Sequence, residues 1–120
     1  MSTFTASLIS GRGRGRHLGF PTLNLKVSKE SPDQGVYAVR ARFLNQIENA
    51  VMHVGPRPTF HEDDVSIEVH LLDFDGELPA QGESIEVEIL GRLREVMTFD
   101  SPEALKKRIA QDIMQARSFF

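Results

Sequence analysis

Apolar side chains recur at every second position through four stretches of this chain, and only near its end does the spacing become helical. That pattern restricts the fold more than any other feature. In residues 36–43, Tyr37, Val39, Ala41 and Phe43 share one face while Arg40 and Arg42 share the other, as in a half-buried strand. Asn45-Gln46 can turn the chain into a second strand over 47–54, giving a hairpin. Residues 65–74 set Val65, Ile67, Val69 and Leu71 against Ser66, Glu68, His70 and Leu72. Residues 84–93 turn Ile85, Val87 and Ile89 inward. A looser alternation over 3–10 predicts a first strand. At the other end Ser101 can cap, Pro102 suits the first helical position and Glu103 the first turn. Leu105, Ile109, Ile113 and Ala116 follow at helical spacing, which predicts an amphipathic helix over 101–117. Five or six strands joined by short turns, with one terminal helix, favour a mainly β fold: a small antiparallel barrel that closes its own edges.

Composition narrows the function. A chain of 120 residues is expected to form one domain with its own core. The absence of cysteine excludes disulfides, zinc–thiolate sites and thiol nucleophiles. No apolar run approaches the roughly 20 residues of a membrane-spanning helix. No basic region followed by an apolar block opens the chain, so a cytoplasmic protein is expected. A net charge of −3 argues against a general nucleic-acid binder, although Arg12, Arg14 and Arg16 stand together without an acid nearby.

The densest chemistry lies in residues 11–25, Gly-Arg-Gly-Arg-Gly-Arg-His-Leu-Gly-Phe-Pro-Thr-Leu-Asn-Leu. Glycines allow successive backbone N–H groups to form a concave nest for an anion. Arginines can fork onto phosphate oxygens. Pro21 fixes a backbone angle, after which Thr22 and Asn24 offer oxygens on the same face of an extended segment. Two neutral oxygens beside a phosphate nest suit Mg²⁺, a hard cation that keeps waters and borrows substrate oxygens. The stretch is not a P-loop, because no Gly-Lys-Ser/Thr follows, and its glycines precede an extended segment rather than open a helix. The same Gly-Arg run has a rival reading as a sequence-tolerant grip on RNA. Glu68, set mid-strand between Ile67 and Val69, is the carboxylate to single out: a general base if its face lines a cleft, an ordinary wet side chain if that face is solvated. His17, His53, His61 and His70 share no metal-ligand spacing and are expected at the surface or in packing.

From Gly13 to Leu25 the string Gly-Arg-Gly-Arg-x-Leu-Gly-Phe-Pro-Thr-x-Asn-Leu closely resembles the signature of riboflavin kinases. The resemblance continues in order through Gly35-Val36-Tyr37-Ala38, Gly55-x-Arg57-Pro58-Thr59-Phe60, Glu68-Val69-His70-Leu71-Leu72-Asp73-Phe74, Leu93-Arg94-Glu95 and the helix containing Asp112. It is to the kinase domain of bacterial bifunctional riboflavin kinase/FAD synthetases. The resemblance implies a six-stranded antiparallel Greek-key β-barrel with a C-terminal helix, and transfer of the ATP γ-phosphate to riboflavin, giving FMN. It implies Glu68 as the base for the ribityl 5′-hydroxyl, and Thr22 and Asn24 as holders of Mg²⁺ and nucleotide phosphates. Gly13, Arg14, Gly15, Arg16, Gly19 and Pro21 would complete the phosphate cradle, with Thr59 and Arg94 on the substrate side. The partners expected are ATP and riboflavin, with neither nucleic acid nor membrane, and a monomer. The chain departs from the family pattern in the loop Leu78-Pro79-Ala80-Gln81-Gly82, at His53, where asparagine is common, and at Leu23, where alanine is usual. An adenylyltransferase domain would not fit in 120 residues, so chemistry is expected to stop at FMN.

Overall fold

The computed structural model describes residues 2–12, 20–56 and 65–120, with the side chain of Arg12 left aside. Six strands and one helix follow in the order β1 (Ser2–Arg12), β2 (Thr22–Leu25), β3 (Gly35–Phe43), β4 (Gln46–Gly55), β5 (Ser66–Leu71), β6 (Ser84–Arg94) and α1 (Pro102–Arg117). The strands close into an antiparallel barrel in the spatial order β1-β2-β5-β4-β3-β6. Within it β3, β4 and β5 are joined in succession, and β2 returns to lie beside β5, the Greek-key arrangement. The expected barrel with a C-terminal helix is thus the fold found.

The interior is filled by the alternating residues. Leu8, Leu23, Leu25, Val39, Met52, Val54, Ile67, Val69, Leu71, Ile85 and Val87 are buried there, and each such side chain contributes about 2 kcal/mol of burial. Leu23 belongs to this set, so the enlargement at that position goes into the core and leaves the outward neighbours Thr22 and Asn24 in place. The loop after β5 is anchored as well. Leu78 packs against the core, Pro79 is buried, and Gly82 N–H donates to Leu8 O at 2.8 Å.

Three expectations about the strands need correction. β3 is not half-buried throughout: its first five residues are all buried, as are the last six of β4. The reason is α1, which lies on the outside of the barrel over Val36, Ala38, Val51 and Leu72, with Ala116 in the contact. The turn between β3 and β4 is Leu44-Asn45, one residue earlier than expected. Both residues are left-handed, at φ 49° and 59°, as a two-residue hairpin turn requires. β5 is also shorter than its alternation suggested, because Asp73, at φ 56°, turns the chain away just beyond it.

Candidate active site

Antiparallel register decides which outward side chains meet. Asn24 on β2 stands opposite Glu68 on β5, Glu68 opposite His53 on β4, His53 opposite Val36 on β3, and Val36 opposite Arg94 on β6. Two residues along, Thr22 stands opposite His70, and His70 opposite Val51. The barrel's outer face therefore carries Thr22, Asn24, Glu68, His70 and His53 as one patch beside α1. Leu71 N–H donates to Pro21 O at 2.9 Å, which ties the entry of β2 to the end of β5 and sets Thr22 in register.

The polar contacts are specific. Thr22 is only 7% exposed; its hydroxyl donates to Phe20 O at 3.3 Å and lies 3.2 Å from His70 Nδ1. Asn24 Nδ2 donates to Ser10 Oγ at 3.2 Å, which turns its amide oxygen to the other side as an acceptor. His70 Nε2 lies 3.8 Å from Glu68 Oε2, and the Glu68 side chain is 22% exposed. Burial, with a lesser effect of His53, pushes the His70 ring down to about 4, so at neutral pH that approach joins a carboxylate to an uncharged ring and is not an ion pair.

His53 is 7% exposed, and among the described residues neither ring nitrogen has a hydrogen-bond partner. Burial first, and then the Arg94 guanidinium, lower it to about 4 against smaller upward pulls from Asp112 and its own backbone carbonyl. It is a neutral imidazole between Glu68 and the Arg94–Asp112 pair.

Arg94 has its guanidinium committed. Nε and Nη2 each donate to Asp112 at 2.7 Å, Nη1 donates to Glu95 O at 3.0 Å, and the Phe99 ring centroid lies 5.9 Å away. Arg108 Nε approaches the same carboxylate at 3.5 Å. Of the residues singled out from sequence, the structure brings Thr22, Asn24 and Glu68 together on one face and puts Arg94 at the far end of their row. Gly13, Arg14, Gly15, Arg16, Gly19 and Thr59 lie outside the described residues, as do His17, His61 and Arg57. Sequence reasoning missed His53 and His70 as flanks of Glu68, and Asp112 as the partner of Arg94. A signal for Asp112 existed: it falls at helical spacing within the stripe Leu105, Ile109 and Ala116, where a carboxylate needs a buried partner.

The oxygens of Thr22 and Asn24 are hard donors of the kind Mg²⁺ accepts. Among the described residues no group of three or more His, Cys, Asp or Glu could hold a metal by itself. Any cation here would complete its shell with water and phosphate oxygens, the usual habit of Mg²⁺.

A six-stranded Greek-key barrel thus carries a carboxylate beside two neutral oxygens on one outward face. The family model described as Flavokinase, riboflavin kinase, matches residues 2–120, and the chain belongs to that family. It is 37% identical over 94% of its length to the bifunctional riboflavin kinase/FMN adenylyltransferase of Haemophilus influenzae, of which it covers 37%. It is 37% identical over 94% of its length to the RNA-binding riboflavin kinase RibR of Bacillus subtilis, covering 49% of that protein. It thus spans less than half the length of these curated relatives. Among solved structures, one described as a macrolide-efflux protein from Streptococcus pneumoniae superposes with a TM-score of 0.78 at 30% identity, over 98% of this chain and 39% of that one. No helix among the described residues is long and apolar enough to cross a membrane.

Proposed function

We propose that the chain is an ATP:riboflavin 5′-phosphotransferase, carrying the γ-phosphate of ATP to the ribityl 5′-hydroxyl of riboflavin to give FMN and ADP. The observation that carries this reading is the register of β2 on β5, which puts Asn24 opposite Glu68 and Thr22 opposite His70 on one outward face. Glu68 accepts the proton of the 5′-hydroxyl as that oxygen bonds to the γ-phosphorus. The bond from that phosphorus to the β–γ bridging oxygen breaks, and ADP leaves with the electron pair. Thr22 and Asn24 hold the phosphate side of the site, and Gly13, Arg14, Gly15, Arg16 and Gly19 supply backbone and guanidinium donors to the phosphates. Mg²⁺, bound with the nucleotide at Thr22 and Asn24, would neutralise phosphate charge. Arg94, committed to Asp112, supports the substrate side from behind, and Thr59 offers a hydroxyl there. The setting proposed is a monomer in the cytoplasm, with FMN leaving as the phosphorylated flavin.

The test is conversion of riboflavin to FMN by the purified protein with ATP and Mg²⁺, followed by chromatography. FMN formation at enzymatic rates is the expected result. Riboflavin fluorescence quenching without FMN would replace the kinase with a flavin-binding barrel. The word RNA in the name of one relative gives a second arm. Salt-sensitive RNA binding with no flavin binding would favour the Gly-Arg run as a nucleic-acid grip.

A further inference from the structure

His53 is buried on the barrel's outer face, and among the described residues neither of its ring nitrogens meets a donor or an acceptor. A buried polar group left unpaired loses its water with nothing to offset the loss, so native structures rarely keep one without a use for it. The walls around the ring show where a partner can come from. Along β4 its outward neighbours are Val51 and Gly55. Val51 is buried in the apolar layer beneath α1. Gly55 is closed by Val96, for a Cβ at that glycine would lie 2.9 Å from Val96 Cγ2. Across on β3 stands Val36, also buried in the layer under α1. Across on β5 stands Glu68, whose side chain is 22% exposed. Among these neighbours only the Glu68 side is both polar and open to solvent.

We infer that His53 is a specificity residue that hydrogen-bonds the substrate hydroxyl next to the one that reacts, which in riboflavin is the ribityl 4′-hydroxyl. The inference rests on the phosphoryl-transfer reading of this face. Side chains directly opposite in an antiparallel pair have Cβ atoms about 5 Å apart. A hydroxyl held at the Glu68 carboxylate therefore brings the oxygen on the adjoining carbon within reach of the His53 ring. An imidazole always carries at least one N–H, and a hydroxyl both donates and accepts, so the pairing holds in either tautomer. Both ring nitrogens are closed to water in the free protein, so binding includes a small displacement at the Glu68 wall. The new bond then forms without breaking one from the ring to water, between apolar walls that strengthen it. A substrate that lacks this hydroxyl leaves the imidazole as it was, buried and unpartnered. The acceptor selected is a chain that ends in a vicinal diol, in preference to a lone primary alcohol.

The test compares riboflavin with 4′-deoxyriboflavin, each with ATP and Mg²⁺, and reads kcat/KM for 5′-phosphorylation by chromatography. Wild type should favour riboflavin by about 100-fold. His53→Leu fills the same apolar-walled space without a polar ring. It should bring the preference down to about 3-fold by slowing riboflavin, with the deoxy substrate within about 3-fold of its wild-type rate. His53→Gln, whose amide also donates and accepts, should keep a preference above about 10-fold. A wild type that phosphorylates both flavins alike would overturn the inference, and that comparison stands whether or not the variants fold. So would a His53→Leu protein that slows both substrates by one factor, the mark of a purely structural role. In either case FMN formation by the wild type keeps the kinase reading intact, whereas a wild type that forms no FMN removes both.

Discussion

At the scale of single residues, the proposed chemistry converges on Glu68. Glutamine keeps the size and outward direction of that side chain but cannot accept the hydroxyl proton. Glu68→Gln should therefore lower kcat by about 10²–10⁴ and leave nucleotide affinity close to wild type. Stopped-flow turnover with calorimetric nucleotide binding measures both, and full turnover in the variant would remove Glu68 as the base. Glu68 was visible in the sequence because a carboxylate between two core residues of a strand needs a reason to be there. Thr22 and Asn24 were visible because period-2 geometry puts them on one face whatever the fold. His53 and His70 were not, since a histidine in a strand carries no mark of which cross-strand neighbour it will meet. That information lives in the register of β5 against β2 and β4, which no local pattern contains.

At the scale of elements, α1 is held to the barrel by apolar contact and by one buried ion pair. The Arg94 and Asp112 side chains are 9% and 2% exposed, so removing one partner leaves the other charged and buried. Asp112→Ala should cost about 3–5 kcal/mol, whereas Ser101→Ala, which removes the hydroxyl capping Ala104 N–H at 3.2 Å, should cost about 1 kcal/mol. Urea unfolding of both variants checks the ranking; equal costs would mean that the pair contributes no more than a surface contact. The helix itself was legible down to its cap, because caps are local chemistry. Its destination on the barrel was less so. The clue was in the strands, where Val36-Tyr37-Ala38-Val39 and Ala50-Val51-Met52 run apolar without a break. Continuous apolar runs belong to strands covered on both faces, and strict alternation was the wrong template for these halves of β3 and β4.

For the molecule as a whole, the same double cover makes stability depend on acid. His53 is held neutral by burial and faces Arg94 on β6, Glu68 and His70 on β5, and Asp112 on α1. Its ring titrates at about 4 in the folded chain against 6.5 in the unfolded one. Between those values the unfolded chain binds the proton and the folded chain does not. Stability from this group is therefore complete above 6.5 and declines as pH falls toward 4. The full loss is about 3 kcal/mol, of which about 2 kcal/mol is gone by pH 5. His53→Asn puts a smaller amide at this position and removes the titrating group. Urea unfolding at pH 7.5 and pH 5 should show a wild-type loss about 2 kcal/mol larger than that of the variant. Equal losses would assign the acid sensitivity to other groups, among them His70, whose ring burial also lowers to about 4, and the carboxylates. The test reaches beyond stability, because His53 sits on the row that joins Glu68 to the helix pair. A chain that keeps a buried imidazole there must work at a pH where that imidazole stays neutral, since protonation would put a second cation beside Arg94.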